Sequence, residues 1–349
     1  MRVVIIGATG NVGTSLLEVL ADEPSVEEIV AVARRLPHRG FPRTRFVQAD
    51  IVASDLEPIF SGADAVVHLA WLIQPGRDES LTYAVNVLGS ARILAAAVAA
   101  KVPLLVYASS VGAYSPGPKD AFVDESWPTE GIASSFYARH KAQVERQLDR
   151  VEREQPHMRI VRMRPGLIFK AQAATEIRRL FAGPLLPGAL MRPGVIPVVP
   201  DVPGLRFQAV HSLDVGDAYR RALLSDTRGA YNLAADPALG PAELGRVLRA
   251  RPVRMSANAL RAGAAVTYKL RLQPTEPGWV DMALAVPLMK TERARTELGW
   301  KPRFSATEAI EELLSGMRAG RDADTPPLSR QTSGPLRIRE LLGRVGGRP

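Results

Sequence analysis

Met1-Arg-Val-Val-Ile-Ile-Gly7-Ala-Thr-Gly10-Asn-Val-Gly13 decides how the rest of the chain is read. The apolar run Val3 to Ile6 breaks at Gly7, and Val12, Leu16, Leu17 and Leu20 then recur at helical spacing. Strand, glycine turn and helix in that order make a seat for a dinucleotide pyrophosphate. The helix offers free N–H groups and the positive end of its dipole, and the glycines let phosphates come close. The spacing is G-x-x-G-x-x-G, not the commoner G-x-G-x-x-G. An ordinary tight strand-to-helix turn would use the same glycines.

Outward from this turn, strand and helix signals alternate. Strands are expected at 26–33, 45–49, 65–70, 104–108 and 159–163, with helices over 86–100 and 135–154. Alternation of this kind predicts an α/β fold, a doubly wound parallel sheet covered on both faces. Residues 1–165 would form the nucleotide-binding domain. Prolines and glycines then cluster between Gly183 and Gly204, and 166–320 reads as a smaller substrate-binding lobe with some strands returning to the main sheet. One such strand is expected at 230–235, with helices near 241–250, 256–270, 291–298 and 306–317. Residues 321–349, rich in Asp, Pro, Ser and Gly, read as a flexible tail. Within it, 336–345 has the pattern of a short basic amphipathic helix.

A chain of 349 residues can bury a large core. It has no cysteine, which excludes disulfides and cysteine-based metal or nucleophile chemistry. The formal charge of +9 invites a nucleic-acid reading, but the arginines are scattered and Arg34-Arg35 and Arg178-Arg179 are only pairs. From Arg321 onward six arginines face three acids, so the tail supplies +3 of the excess. No nucleic-acid partner is expected. The sequence starts on a core strand, and its longest apolar run, Ile93 to Ala100, is too short to span a bilayer. The expectation is a cytoplasmic protein with no membrane partner, for which a homodimer is an open state.

A second signature lies in the helix expected at 135–154. Tyr137 and Lys141 are four apart and share one face, continued by Val144, Leu148 and Val151. A core-facing helix with tyrosine at its edge and a snorkelling lysine has this spacing too. Yet a lysine inside an apolar stripe needs a partner or a purpose. Ser110, just past the strand at 104–108, would meet this helix where strand C-termini form a ligand crevice.

Together these motifs resemble the extended short-chain dehydrogenase/reductases of the NAD(P)-dependent epimerase/dehydratase group. The resemblance runs to about residue 315. It rests on G-A-T-G-N-V-G at Gly7, Asp50-Ile51, H-L-A at His68, N-V-L-G-S at Asn86 and S-S-V-G-A-Y at Ser109. Y-A-R-H-K at Tyr137, R-P-G at Arg164, V-H-S-L-D at Val210 and E-L-G-W-K-P at Glu297 continue it. It implies a Rossmann-type sheet and hydride transfer at a carbinol or carbonyl carbon. Tyr137 would be the general acid/base and Ser110, ahead of Ser109, would orient the substrate oxygen. Lys141 would lower the tyrosine pKa and bind the nicotinamide ribose, and Asn86 would help build the proton-relay region.

The same resemblance places the cofactor on Gly7, Thr9, Gly10, Asn11, Val12 and Gly13 for the pyrophosphate, and on Asp50 and Ile51 for the adenine. Leu69, Ala70 and Ala108 would line its path and Pro165 would flank the nicotinamide, beside Tyr137 and Lys141. NAD users usually carry an acid after the second strand. This chain has Ala33-Arg34-Arg35, suited to clamping a 2′-phosphate, so NADP is expected ahead of NAD. Two solvated surface arginines are the plainer account. His68, His140 and His211 share no ligand spacing, so no metal is expected.

Sugar-nucleotide 4,6-dehydratases of this group carry Asp-Glu where this chain has Val111-Gly112, which argues against dehydration. A sugar-nucleotide epimerase with tightly held cofactor and a carbonyl reductase exchanging NADPH remain, and the substrate is a small molecule, a nucleotide sugar among the options. A non-catalytic cofactor sensor typically lacks the tyrosine or lysine present here. Arg206 stands one residue off the register of a phosphate clamp.

Overall fold

The computed structural model describes residues 1–74, 76–182 and 194–330. The expected amphipathic helix at 336–345 lies outside them. The strands are β1 (Arg2–Ile6), β2 (Glu28–Ala33), β3 (Thr44–Gln48), β4 (Ala65–His68), β5 (Leu104–Ala108), β6 (Phe122–Val123) and β7 (Arg159–Pro165). In the second half come β8 (Leu167–Phe169), β9 (Val198–Asp201), β10 (Phe207–His211), β11 (Gly229–Leu233), β12 (Ala235–Leu239), β13 (Arg251–Arg254) and β14 (Leu288–Met289). Between the early strands lie α1 (Asn11–Leu20), α2 (Glu57–Phe60), α3 (Glu79–Tyr83), α4 (Gly89–Ala99) and α5 (Phe136–Glu154). The later helices are α6 (Ala174–Ile177), α7 (Ser212–Leu224), α8 (Pro241–Leu248), α9 (Ala257–Lys269), α10 (Pro277–Ala285), α11 (Glu292–Glu297) and α12 (Ala306–Ala319).

Seven strands form one sheet in the order β11-β7-β5-β4-β1-β2-β3, every neighbouring pair parallel. The alternation within β1 explains the two layers. Val3 and Ile5 face Leu16, Leu17 and Leu20 of α1 and Tyr219 of α7. Val4 and Ile6 face Ile93 and Leu94 of α4 and Val144 and Leu148 of α5. A strand buried on both faces reads as a continuous apolar run, which is what Val3 to Ile6 is. The order reverses between β1 and β4, so the crevice falls at their carboxyl ends, beside Gly7 and Leu69.

β11 comes from beyond residue 165 and closes one edge of this sheet by pairing with β7. Helix α7, which the spacing of the sequence did not announce, crosses α1 closely. A Cβ on Gly216 would lie 3.0 Å from Ser15 O, and Ser15 Oγ donates to Ser212 Oγ at 2.9 Å. The remaining lobe holds a small sheet, β12-β10-β8, packed on α12.

Two expectations need correction. The helix expected from residue 86 starts at Glu79 and runs through a π-helical segment, Ala84–Leu88, to Ala99. At 21 residues it is long and apolar enough to cross a membrane by length and composition, but half of it is buried. Ile93, Leu94 and Ala97 sit in the core, which identifies it as a core helix. Residues 321–330 are not a loose tail. Thr325 and Leu328 are buried, Thr325 Oγ1 donates to Thr9 O at 2.8 Å, and Arg179 donates to Pro327 O at 2.6 Å. These bonds strap the segment across the end of β1.

Candidate active site

The first thirteen residues build the cradle, and each glycine answers a different need. Gly7 has φ +84, and a Cβ there would lie 2.7 Å from Ala70 N, so the turn is pressed against the segment after β4. Gly13 brings helix to strand: its Cβ would stand 2.5 Å from both Gly7 O and Ala8 O. At Gly10 the nearest atom to a Cβ is Gly7 O at 3.6 Å, which leaves room above the turn. Thr14 N bonds Gly10 O at 3.0 Å, so the amides of Asn11, Val12 and Gly13 come before the first intrahelical bond. Free amides beside space that only a glycine leaves fit a pyrophosphate.

One cleft gathers most of the expected cofactor residues. Gly7, Thr9 and Gly10 line it with Arg34 and Arg35 after β2, Asp50 and Ile51 after β3, and Leu69 and Ala70 after β4. Asn11, Val12 and Gly13 are not among its lining: Asn11 Nδ2 donates to Ile168 O at 3.2 Å and Val12 packs on the core. The opposite wall includes Glu176, Arg179 and Leu180, with Pro326 and Pro327 of the strap. Sequence reasoning missed this wall, because it is supplied from regions read as lobe and tail. Burial and the facing Arg179 guanidinium hold the Arg35 side chain below its ordinary pKa.

The chemistry lies beside this cleft, on α5. Ser135 caps the helix, accepting from Ala138 N, and starts it so that Tyr137, Lys141 and Glu145 fall on one face. Tyr137 is half-buried, with the Ser110 hydroxyl near enough to lower its pKa, and Ser110 Oγ accepts from Gly112 N at 3.0 Å. Ser109 is engaged elsewhere, donating to Glu145 Oε1 at 2.6 Å. Of the two serines, Ser110 is therefore the one turned toward the tyrosine.

Lys141 is 2 % exposed. Its Nζ donates to Ala108 O at 2.6 Å and lies 3.5 Å from the centroid of the Trp71 ring, against 5.8 Å for the Tyr137 ring. Ala108 thus reaches the site through its carbonyl, as the lysine's anchor. Burial raises the Tyr137 pKa, and the Ser110 hydroxyl opposes this only in part. The same burial presses the Lys141 ammonium well below its ordinary value, against the pull of Glu145. A phenolate in an apolar wall loses hydration, and a lysine committed to a carbonyl and an indole does not restore it.

Asn86 is wholly buried and braces the cleft instead of reaching the tyrosine. Its Oδ1 accepts from Leu72 N at 2.7 Å and its Nδ2 donates to Leu72 O at 2.8 Å. Pro165 is buried at the end of β7, paired with Leu233, and is not among the residues lining the cleft.

Aromatic residues unforeseen in the sequence enclose Tyr137. Trp71 stands edge-on to its ring at 5.8 Å and Trp279 of α10 lies at 5.0 Å. Trp71 directly follows H-L-A, so its position was a readable signal; Trp279 carried none.

Behind the site, Glu145 joins Arg164 at 2.9 Å and Arg162 at 3.2 Å in a buried ion cluster. Burial alone would raise the Glu145 carboxyl, but Arg164 and Arg162 bring it below its ordinary pKa. His68 bonds Ser90 at 2.8 Å, with burial pressing its pKa down to about 3, and His211 caps α7. Among the described residues no group of His, Cys, Asp and Glu is placed to hold a metal.

Comparison with known proteins agrees with this geometry. An uncharacterized protein of Mycobacterium tuberculosis is 25% identical over 99% of this chain and 89% of its own length. The 3 beta-hydroxysteroid dehydrogenase/Delta 5-->4-isomerase of the same organism is 26% identical over 90% of this chain and 89% of that one. The UDP-glucose 4-epimerase of Thermus thermophilus, solved in complex with NAD, superposes with a TM-score of 0.65. It covers 91% of this chain and 99% of its own at 21% identity, a likeness of fold. The description "NAD dependent epimerase/dehydratase family" matches residues 3–234. This chain, matched over about two thirds of its length, belongs to that family of NAD(P)-dependent enzymes.

Proposed function

We propose that the protein is an NADP(H)-dependent oxidoreductase that reduces a carbonyl to a secondary alcohol, or runs the reverse. The observation that carries this is Tyr137 and Lys141 on one face of α5, with Ser110 beside the tyrosine, next to a cleft lined by Arg34 and Arg35. When bound, the dinucleotide supplies the hydride that reaches the carbonyl carbon and is itself oxidised. Tyr137 gives its proton to the carbonyl oxygen, which Ser110 holds by a second hydrogen bond. Because burial keeps Tyr137 protonated at neutral pH, it is set up as a donor, the reductive role. Lys141 is within the same layer and would meet the nicotinamide ribose once Trp71 moves off its Nζ. Arg34 and Arg35, with Arg179 opposite, would hold the 2′-phosphate.

Dehydration finds no support, since a side chain at Gly112 would come within 3.0 Å of Tyr137 Cε1 and 3.2 Å of Met282 Sδ. An epimerase that retains its cofactor is the second reading, favoured by the strap bonded to Thr9 O. Mass spectrometry of nucleotide carried through purification separates them. Stoichiometric dinucleotide in the purified protein supports the epimerase, and empty protein that binds NADPH reversibly supports the reductase. Protein that binds neither NADPH nor NADH contradicts both.

A further inference from the structure

The end of the cleft away from Arg34 and Arg35 is built from different chemistry. Trp71, Leu72, Ile73 and Leu180 line it. Around Tyr137 the rings continue: Trp279 lies 5.0 Å from it, and Phe181 stands perpendicular to Trp279 at 5.0 Å. Met282 belongs to the same apolar cluster as Tyr137 and Trp279.

The polar side chains of these walls are turned to neighbouring main chain. Gln74 Nε2 donates to Leu180 O at 3.0 Å and Pro274 O at 3.3 Å, and its Oε1 accepts from Gly76 N at 2.7 Å. Thr275 Oγ1 donates to Phe181 O at 2.6 Å. In the lobe, Lys119 and Arg206 clasp each other's carbonyls: Lys119 Nζ donates to Arg206 O at 2.8 Å and Arg206 to Lys119 O at 2.8 Å. Lys119 also holds Ala283 O of α10 at 2.7 Å. A diphosphate would have to break these bonds to use either cation.

From this we infer that the substrate is an apolar carbonyl compound or its alcohol, a flat ring skeleton without phosphate, packed along the apolar wall that Trp71, Tyr137 and Trp279 form together, with its oxygen at Ser110 and Tyr137. The inference rests on the oxidoreductase reading above and names the substrate class of that site. Aromatic faces favour flat apolar partners, and with Gln74 and Thr275 turned to main chain the Trp71 indole N–H, buried without a partner, is the polar group left on this wall among the described residues.

The test uses the full-length protein and two probes, 2-tetralone with NADPH and UDP-glucose with NAD+ or NADP+, with Trp279→Ala, Trp279→Phe and Tyr137→Phe variants. The expected result is Tyr137-dependent turnover of 2-tetralone, with UDP-glucose neither turned over nor competing at millimolar concentration. Trp279→Ala should raise KM for the ketone roughly tenfold while NADPH affinity stays unchanged, and Trp279→Phe should recover most of it. Tyr137-dependent turnover of UDP-glucose, or competition by it, overturns the inference and leaves the oxidoreductase reading standing. An unchanged KM in Trp279→Ala also overturns the inference alone. No Tyr137-dependent turnover of either probe removes both.

Discussion

Alanine at Gly10 and at Gly13 should separate binding from folding, because the two glycines meet different surroundings. At Gly13 the added methyl would stand 2.5 Å from two main-chain oxygens, Gly7 O and Ala8 O, where neither can swing aside. The helix α1 would have to back away from β1. Overpacking of this kind costs about 1–3 kcal/mol, and more where the obstacle is backbone. At Gly10 the methyl meets only Gly7 O at 3.6 Å, and φ −81 is an ordinary value for alanine. Stability should then shift by no more than about 0.5 kcal/mol, the lost glycine N-cap being offset by reduced chain entropy. That methyl, however, fills the space facing the free amides. Displacing a pyrophosphate from two charge-assisted N–H bonds costs about 3 kcal/mol or more, at least about 100-fold in Kd. Thermal unfolding and NADPH titration calorimetry on both variants decide it. A Gly10→Ala protein that binds NADPH like the wild type would refute the cradle, as would a Gly13→Ala protein of undiminished stability.

Tyr137→Phe keeps the ring between Trp71 and Trp279, so cofactor binding should survive while turnover falls by roughly 10²–10⁴; near wild-type turnover on a confirmed substrate would leave Tyr137 structural. In the oxidation direction the wild-type rate should climb with pH into the alkaline range, since burial holds the tyrosine protonated and only its ionised form accepts a proton. A pH-independent oxidation rate between neutrality and about pH 10, the ordinary tyrosine pKa, would contradict this. Glu145→Ala should cost about 3–5 kcal/mol by leaving Arg162 and Arg164 unbalanced, measured by urea unfolding. The Glu145 carboxyl is held below its ordinary pKa, so its contribution is present above pH ~4.5 and lost as acid protonates it. Glu145→Gln should therefore flatten the acid limb of the stability curve, and an unchanged limb would assign acid loss to other groups.

The sheet was legible because a parallel sheet leaves a loud signal: Val3 to Ile6, the run at 65–70 and Leu104 to Ala108 are continuous apolar stretches ending at polar or small residues. The cofactor cleft was legible for a related reason, since Arg34, Asp50 and Leu69 all stand just past strand ends, where crevices form. Its second wall was not. Arg179 and Pro326 come from segments with no periodicity, and only tertiary contacts bring them to Thr9. The lysine's surroundings were not legible for a similar reason. Helical spacing puts Lys141 on the face of Tyr137 but does not show Ala108 O and the Trp71 ring waiting for its ammonium. The serine pair shows what strand geometry settles and spacing does not: successive residues at the end of β5 point opposite ways, Ser109 to Glu145 and Ser110 to Tyr137.

Charge orders this cleft, and a last prediction follows from how far apart its ends are. Arg34 stands after β2 and Ser110 after β5, and three strand spacings of about 4.8 Å, through β1 and β4, put them about 14 Å apart across the sheet. Sites at that separation with no shared partner behave independently. Arg34→Asp should then lower the preference for NADPH over NADH by about tenfold or more, through a lost charge-assisted pair and a new repulsion, with the pH dependence of kcat unchanged. Ser110→Ala should do the reverse. The Ser110 hydroxyl lowers the Tyr137 pKa, so its loss moves the alkaline rise of the oxidation rate to higher pH while the NADPH/NADH ratio holds. If Arg34→Asp moves the pH profile, the two ends are coupled and the arginines do more than hold a phosphate. If the wild type prefers NADH, Arg34 and Arg35 are surface arginines, and the repulsion between Arg35 and Arg179 has no ligand to explain it.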